Sequence, residues 1–323
     1  MKRREFIVLA GAAAWPIAIR AQQPAMPVIG FLRSNSFDDA AHLVAAFRLG
    51  LKETGFIEGQ NVAVEFRSAE NQLNRLPAIL ADFIRKPVAV IVANTIAAGA
   101  AKAATTTIPI VFTTGSDPVR DGLVASLGRP GGNITGAVFI TSTLGAKRLE
   151  LLRQLVPKAT TMAMLVNPNT EETERERKDV QAAAHAIGQQ LLMIDVGGDR
   201  DIETAFAMVG QRGAGAVLVG AGPFFFSQRE RVVAMAARHA IPTMYSQRDA
   251  VVIGGLLSYG SSNAEAHRQA GIYAGRILKG EQPANLPVAQ STKFEFTINL
   301  KTAKTLGLEI PPALLAVVDE VIE

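Results

Sequence analysis

Short apolar runs rich in β-branched residues alternate with longer segments of helical period along almost the whole chain. That alternation restricts the fold more than any other feature. Residues 28–32 read as a strand leading into a helix that starts near Asp38-Asp39 and ends at Gly55, with Leu43, Ala46, Phe47, Gly50 and Leu51 on one face. The pattern repeats as strand 62–67 and helix 73–85, strand 88–92 and helix 97–106, then strand 110–113 and a helix around 119–127. Four strand-helix units in succession imply parallel strands with helices on both faces. A turn-rich break, Gly128-Arg129-Pro130-Gly131-Gly132-Asn133, leads to an apolar run at 134–140, and the scheme then starts again. Strands are expected at 162–166, 191–196, 216–219, 243–246 and 256–258, separated by helices at 145–156, 171–190, 201–211, 227–238 and 265–279.

About 300 residues is more than one simple core takes, and two α/β lobes built on doubly wound parallel sheets are expected. The tail departs from the alternation. After Pro283 and Pro287 comes an extended stretch at 293–298, followed by helical segments at 300–307 and 312–322. An extended, Pro-bounded segment so late in the chain reads as a crossing between lobes. With breaks near Ile140 and Tyr259 it makes three crossover segments, so that residues 26–140 plus 260–288 form one lobe and 141–259 plus 289–323 the other. Three connections make a hinge that bends while resisting free rotation, as a closing clamp requires.

The first residues say where such a protein works. Lys2-Arg3-Arg4, an apolar run too short to span a bilayer, and a small residue before Gln22-Gln23 form an export signal over residues 1–21, cut after Ala21. Arg3-Arg4 followed by Phe6, ahead of an Ala/Gly-rich segment, resembles the bacterial twin-arginine signal, although Lys2 stands where Ser or Thr is usual. The alternative is a signal anchor that stays attached. Residues 1–21 hold Lys2, Arg3, Arg4 and Arg20 against Glu5, so of 33 basic and 29 acidic residues 29 and 28 remain, a net of +1 in place of +4. No basic excess is left for nucleic acid. The absence of cysteine excludes disulfides, thiolate metal sites, thiol catalysis and a lipid-anchored amino-terminal Cys. Beyond the signal no apolar run approaches the roughly 20 residues of a spanning helix.

Few motifs of catalysis or cofactor binding are present. His42, His185, His239 and His267 lie in expected helices at no ligand spacing and read as solvated or partly buried helix residues. There is no GxSxG, no HExxH, no phosphate loop, and no GxGxxG after the first strand, where Gly30-Phe31-Leu32-Arg33-Ser34-Asn35-Ser36 stands instead. A dinucleotide therefore finds no close-packed glycines to approach. No cofactor is expected.

The carboxyl ends of the strands are polar in a repeated way, and in a parallel sheet ligands bind outside those ends. They read Ser34-Asn35-Ser36, Asn94-Thr95, Thr113-Thr114-Gly115-Ser116-Asp117, Asn167-Pro168-Asn169-Thr170, Gly220-Ala221-Gly222-Pro223-Phe224 and Tyr245-Ser246-Gln247-Arg248-Asp249. Each Ser, Thr or Asn is also an ordinary helix cap, so lined cleft and capping stand side by side at every position. Asp117 and Asp249 are either acceptors for a ligand amino group or first-turn carboxylates favoured by the helix dipole. Phe224-Phe225-Phe226 is either a floor for a flat or apolar ligand or packing between lobes.

From the signal through Val321 the chain resembles the exported substrate-binding proteins of ABC transporters, in the branch that includes tryptophan and tyrosine binders. The matching stretches are Arg20-Ala21-Gln22-Gln23, residues 101–112, Asp117-Pro118-Val119, residues 127–136 and Asn167-Pro168-Asn169. The resemblance implies the type I periplasmic binding protein fold, two α/β lobes with three crossings. It also implies a cleft using Ser34, Asn94, Thr114, Ser116, Asp117, Asn169, Phe224, Asp249 and Tyr259. Val92-Ala93-Asn94-Thr95-Ile96 replaces the Gly-rich turn usual there, which narrows the pocket wall. The expected function is a monomeric periplasmic receptor that closes on a small solute, an amino acid or aromatic carboxylate. It presents the solute to an inner-membrane permease and its ATPase, and no bond is broken. The alternative is a sensor subunit with the same clamp, and an exported enzyme would need a nucleophile–base pair or a metal that the sequence does not display.

Overall fold

The computed structural model describes residues 26–37, 40–70, 72–139, 142–168 and 171–323; the export segment, Asp38-Asp39 and Asn169 lie outside the described residues. Its first half runs β1 (Val28–Arg33), α1 (Ala41–Glu53), β2 (Ala63–Ser68), α2 (Leu76–Arg85), β3 (Val90–Asn94), α3 (Thr95–Ala104), β4 (Ile110–Thr114) and β5 (Ile134–Val138). The second runs α4 (Gly145–Leu155), β6 (Thr161–Val166), α5 (Glu171–Ala186), β7 (Gln190–Asp195), α6 (Asp201–Gln211), β8 (Val217–Val219), α7 (Pro223–Ser227), α8 (Arg229–Arg238), β9 (Thr243–Tyr245), α9 (Arg248–Val252) and β10 (Leu257–Ser261). There follow α10 (Asn263–Leu278), β11 (Ala289–Gln290), β12 (Phe294–Asn299), α11 (Leu300–Thr305), α12 (Pro312–Leu315) and β13 (Glu320–Ile322).

Strand pairing builds two sheets, of order β11-β5-β4-β3-β1-β2 and β13-β12-β10-β9-β8-β6-β7. The first is parallel throughout. The second is parallel from β7 to β10, with β12 antiparallel to β10 at its far side. Each half therefore carries the doubly wound order 2-1-3-4-5 expected from the alternation. Side chains along each strand feed opposite faces in turn. In β6, Met162, Met164 and Val166 join one apolar cluster while Ala163 and Leu165 join the other. In β3, Ile91 and Ala93 face one side and Val90 and Val92 the other. Both faces are covered, and large side chains such as Phe31, Phe47, Phe112, Phe206 and Phe296 are at most 2% exposed. Each contributes about 1.5–3 kcal/mol by burial.

The chain passes between the sheets three times: after β5, between β10 and α10, and between β11 and β12. Helix α10 follows a strand of the second sheet but packs on α1 of the first half, so close that side chains are excluded. A Cβ at Gly50 would fall 1.8 Å from the Arg268 carbonyl oxygen, and one at Gly271 2.1 Å from that of Phe47. The extended segment near 293–298 is β12, a strand of the second sheet, and the crossing itself is the short stretch before it.

Two expected helices are corrected. Residues 119–127 form turns: the Asp117 carboxylate accepts from the Val119 and Arg120 N–H groups (3.0 and 3.2 Å), and Gly122 at φ +68° ends the turn. Leu123 and Val124 then drop into the core. The stretch between Gly122 and Pro130 is too short to recover the nucleation cost of a helix. Of the expected helix 312–322 only Pro312–Leu315 is helical, and Glu320–Ile322 pairs in parallel with β12. The free edge of β12 supplies backbone partners that β-branched Val321 and Ile322 take up as a strand. Among the described residues no helix is long and apolar enough to cross a membrane.

Replacing Gly271 by Ala forces α1 and α10 apart and is expected to destabilise the protein by about 1–3 kcal/mol, read as a lower urea midpoint. Gly99 of α3 has open space around its Cβ position, so Gly99→Ala is expected to be neutral or to stabilise by about 0.5–1 kcal/mol. Equal effects at the two sites would refute the close-packing account.

Candidate functional site

In a doubly wound sheet the crevice opens where neighbouring strands send their helices to opposite faces, between β1 and β3 in the first half and between β6 and β8 in the second. Asn94 spans the first of these. Its Oδ1 accepts from the Ser34 N–H (2.9 Å), and its Nδ2 donates to the Ser34 hydroxyl (2.9 Å) and to Asn35 Oδ1 (3.2 Å). Although Asn94 stands at the cap position of α3, its side chain does not cap that helix. A polar line continues along the sheet edge. Thr95 donates to the Thr114 hydroxyl (3.0 Å), which lies 2.9 Å from the Ser116 hydroxyl, and Ser116 donates to the Asp121 carboxylate. Ser34, Thr114 and Ser116 are buried and Asn94 is half-buried. The structure thus places four of the expected residues in two adjoining hydrogen-bonded sets, Ser34 with Asn94 and Thr114 with Ser116, which meet at the peptide between Asn94 and Thr95. Asp117 beside them is engaged with its own turn.

The second switch point holds a buried ion pair. Arg148 of α4 donates to the Glu176 carboxylate of α5, both side chains having no exposed surface. The second Glu176 oxygen accepts from the Ala221 N–H after β8 (2.8 Å), and Arg148 Nη1 reaches the Tyr259 carbonyl of β10 (3.4 Å). Burial lowers the Arg148 pKa, and the charge of Glu176 opposes that shift. Nearby, Asn167 donates to the Val196 carbonyl (2.9 Å). Neither Arg148 nor Glu176 was distinguishable by sequence, because Glu176 sits in the charged run Glu171-Glu172-Thr173-Glu174-Arg175-Glu176-Arg177-Lys178, which reads as a solvated face.

The remaining expected residues are placed differently. Phe224 is half-buried in α7 with its ring edge-on to Phe225 (5.1 Å between centroids). The Tyr259 ring stacks on Phe294 (6.0 Å) and meets Phe296 edge-on (6.2 Å), two residues before β10 ends. Asp249 is 7% exposed and pairs with His42 Nε2 of α1 at 3.7 Å, a contact that ties the two halves together. No such role for His42 was legible in the sequence.

His267 also departs from its expected place on a solvated or partly buried helix surface. It is 3% exposed in α10, with Nδ1 2.9 Å from the Asn263 carbonyl and Nε2 3.4 Å from the Thr113 hydroxyl at the end of β4. A carbonyl only accepts, so Nδ1 carries the proton and Nε2 accepts from Thr113. Burial pushes the imidazole pKa down to about 3. The unfolded chain, titrating near 6.5, binds the extra proton between these values, so stability is full above about pH 6.5 and falls as the pH drops towards 3. Between pH 6.5 and 4.5 the slope is expected to approach about 1.4 kcal/mol per pH unit, and His267→Gln is expected to flatten it, as urea titrations at several pH values would read. An unchanged slope in the variant would assign the effect elsewhere.

Among the described residues no group of three or more His, Asp or Glu side chains is placed to hold a metal. The amide and N–H donors of the first half are spent on one another, so the arrangement offers a polar solute the Ser34 hydroxyl from the first half, and aromatic and acidic groups from the second.

Residues 27–322 match the family described as ABC transporter substrate binding protein. The chain is 28% identical over 265 residues to a tyrosine-binding protein of Clostridioides difficile strain R20291, an alignment covering 81% of this chain and 76% of that protein. Among solved structures it is similar to an ABC domain from Streptococcus pneumonia in complex with L-Trp, with 24% identity, coverage of 92% and 99% of the two chains, and a TM-score of 0.78. It is also similar to the ligand-free, open structure of a substrate-binding protein with adhesive properties from Clostridium difficile, with 26% identity, the same coverage and a TM-score of 0.71. At 24% identity the L-Trp complex bears on fold alone.

Proposed function

We propose that this chain, which belongs to the family of ABC transporter substrate-binding proteins, captures an aromatic amino acid outside the cytoplasm and delivers it to a membrane permease driven by an ATPase. It is a binding protein and no enzyme. The observation that carries the solute reading is the set Ser34, Asn94, Thr114 and Ser116 at the first switch point, whose amide and N–H donors hold one another in place and leave the Ser34 hydroxyl proton for a carboxylate. The name of one relative, a tyrosine-binding protein, supports an aromatic amino acid as the solute.

In this reading the two sheets with their helices, divided after β5, after β10 and after β11, are two lobes that close about these three crossings. Asp249, placed between the halves, takes the ammonium group, with Asp117 as the acid on the opposite wall. Phe224 contacts the aromatic ring, Tyr259 backs that wall, and Asn169 contributes a further contact to the solute. Residues 1–21 are a twin-arginine export signal removed in the periplasm, and the mature chain acts as a monomer.

Calorimetric and thermal titrations of the refolded mature protein test this. A solute present at about 100 times its dissociation constant adds roughly 2.7 kcal/mol, on the order of 5–10 °C for a chain of this size. Such a shift is expected with L-tryptophan or L-tyrosine and not with L-leucine or a pentose. Asn94→Ala is expected to weaken binding about tenfold or more, the equivalent of about 1.4 kcal/mol. Stabilisation by no aromatic amino acid would reject the reading.

A further inference from the structure

Helix α1 follows the carboxyl end of β1 in the first half and α9 that of β9 in the second, so the first turns of both border the cleft between the halves. His42 in the first turn of α1 and Asp249 in that of α9 meet there, Nε2 to Oδ1, at 3.7 Å. Asp249 is 7% exposed, and among the described residues no N–H or O–H group donates to its carboxylate. Its one ion partner within 4 Å among them is His42, which belongs to the other half. The charged groups nearest to it on its own half are engaged elsewhere. Arg248 donates twice to Glu320 of β13 (2.5 and 2.6 Å), and Glu295 of β12 accepts from the Ser262 hydroxyl (2.5 Å).

A carboxylate so placed is hydrated while the halves stand apart and loses that water when they meet, which is costly unless a countercharge replaces it. Both partners sit on elements fixed within their own halves. Helix α1 is pressed onto α10 at Gly50 and Gly271, and the buried side chains of Ala250 and Val251 anchor α9 in the second half. The distance between imidazole and carboxylate therefore follows the spacing of the halves. From this geometry we infer that His42 and Asp249 form a latch across the cleft, in which the imidazole supplies the countercharge that lets the halves meet with no solute present. Oδ1 faces His42 and Oδ2 is left for the ammonium group assigned above, so the latch and a bound solute are compatible. Without His42, closure buries a carboxylate that has no partner, and the empty protein stands open.

The inference concerns the protein with nothing bound and goes beyond the solute reading. The chain has no cysteine, so spin labels on Ala103→Cys in α3 and Arg231→Cys in α8, exposed positions in opposite halves, report the spacing of the halves by double electron–electron resonance. The measurement is made on the refolded, solute-free protein at pH 6, within the range where imidazole side chains take up a proton. In the labelled parent the spacing seen in the structure is expected to predominate. His42→Ala is expected to lower the ratio of closed to open molecules about tenfold or more. Adding Asp249→Asn to His42→Ala is expected to restore most of that ratio, because closure then buries a neutral amide. An open spacing alone in the labelled parent, an unchanged distribution in His42→Ala, or a double variant as open as the single one overturns the latch. None of these outcomes bears on the solute, which titration of the parent decides separately.

Discussion

Arg148 and Glu176 have no exposed side-chain surface, and the second half of the molecule is arranged around their contact. Through it α4, the first element after the first crossing, is fixed to α5, to the loop after β8 and to the backbone of β10. Desolvating two charges is expensive, and replacing such a pair by apolar groups is often neutral or stabilising. Removing one partner alone costs about 3–5 kcal/mol, because the other is left charged in an apolar interior. The pair is therefore better understood as fixing where four segments meet than as a source of stability. Those segments border the second switch point, so the position of the 220–222 loop follows from that fixed meeting point.

The first half solves the corresponding problem with neutral groups. Asn94 uses both ends of its amide on the β1 terminus, which holds the two diverging strands in register at the point where a crevice must open. Its chain neighbour Thr95 is linked to Thr114 and through it to Ser116, so a second set of mutually oriented dipoles adjoins the first. Preorganised groups of this kind lower the cost of ordering a site when a solute arrives.

The connection between halves is similarly asymmetric. Helix α10 begins one residue after β10 of the second sheet yet is pressed onto α1, glycine against backbone, so it moves with the first half. His267 sits inside that same helix, neutral and bonded to both Asn263 and Thr113, and anchors it over the end of β4. The contact between His42 and Asp249 is the reverse case, a partly exposed imidazole 3.7 Å from a buried carboxylate, long enough to part without disturbing either core.

The period-2 and period-3.6 patterns determined, without coordinates, that strands alternate with helices twice over and that the polar strand ends gather at one side of each sheet. Burial on both faces leaves no other home for runs such as Val90–Asn94 or Thr161–Val166. Ser34, Asn94, Thr114 and Ser116 were legible for the same reason, since polar residues at the carboxyl ends of buried strands must face either a cap or a crevice. The segment 119–127 and the tail strand Glu320–Ile322 were not legible, because a few apolar residues next to Gly or Pro fit several local structures until a neighbouring edge chooses among them. The tertiary structure alone decided the pairings. Ser34 and Asn94 are 60 residues apart, and Arg148 and the Tyr259 carbonyl 111. Burial of Glu176, His267 and Tyr245 depends on what is packed over them. Periodicity records which side a residue faces, whereas a partner is set by distances between strands that only folding brings together.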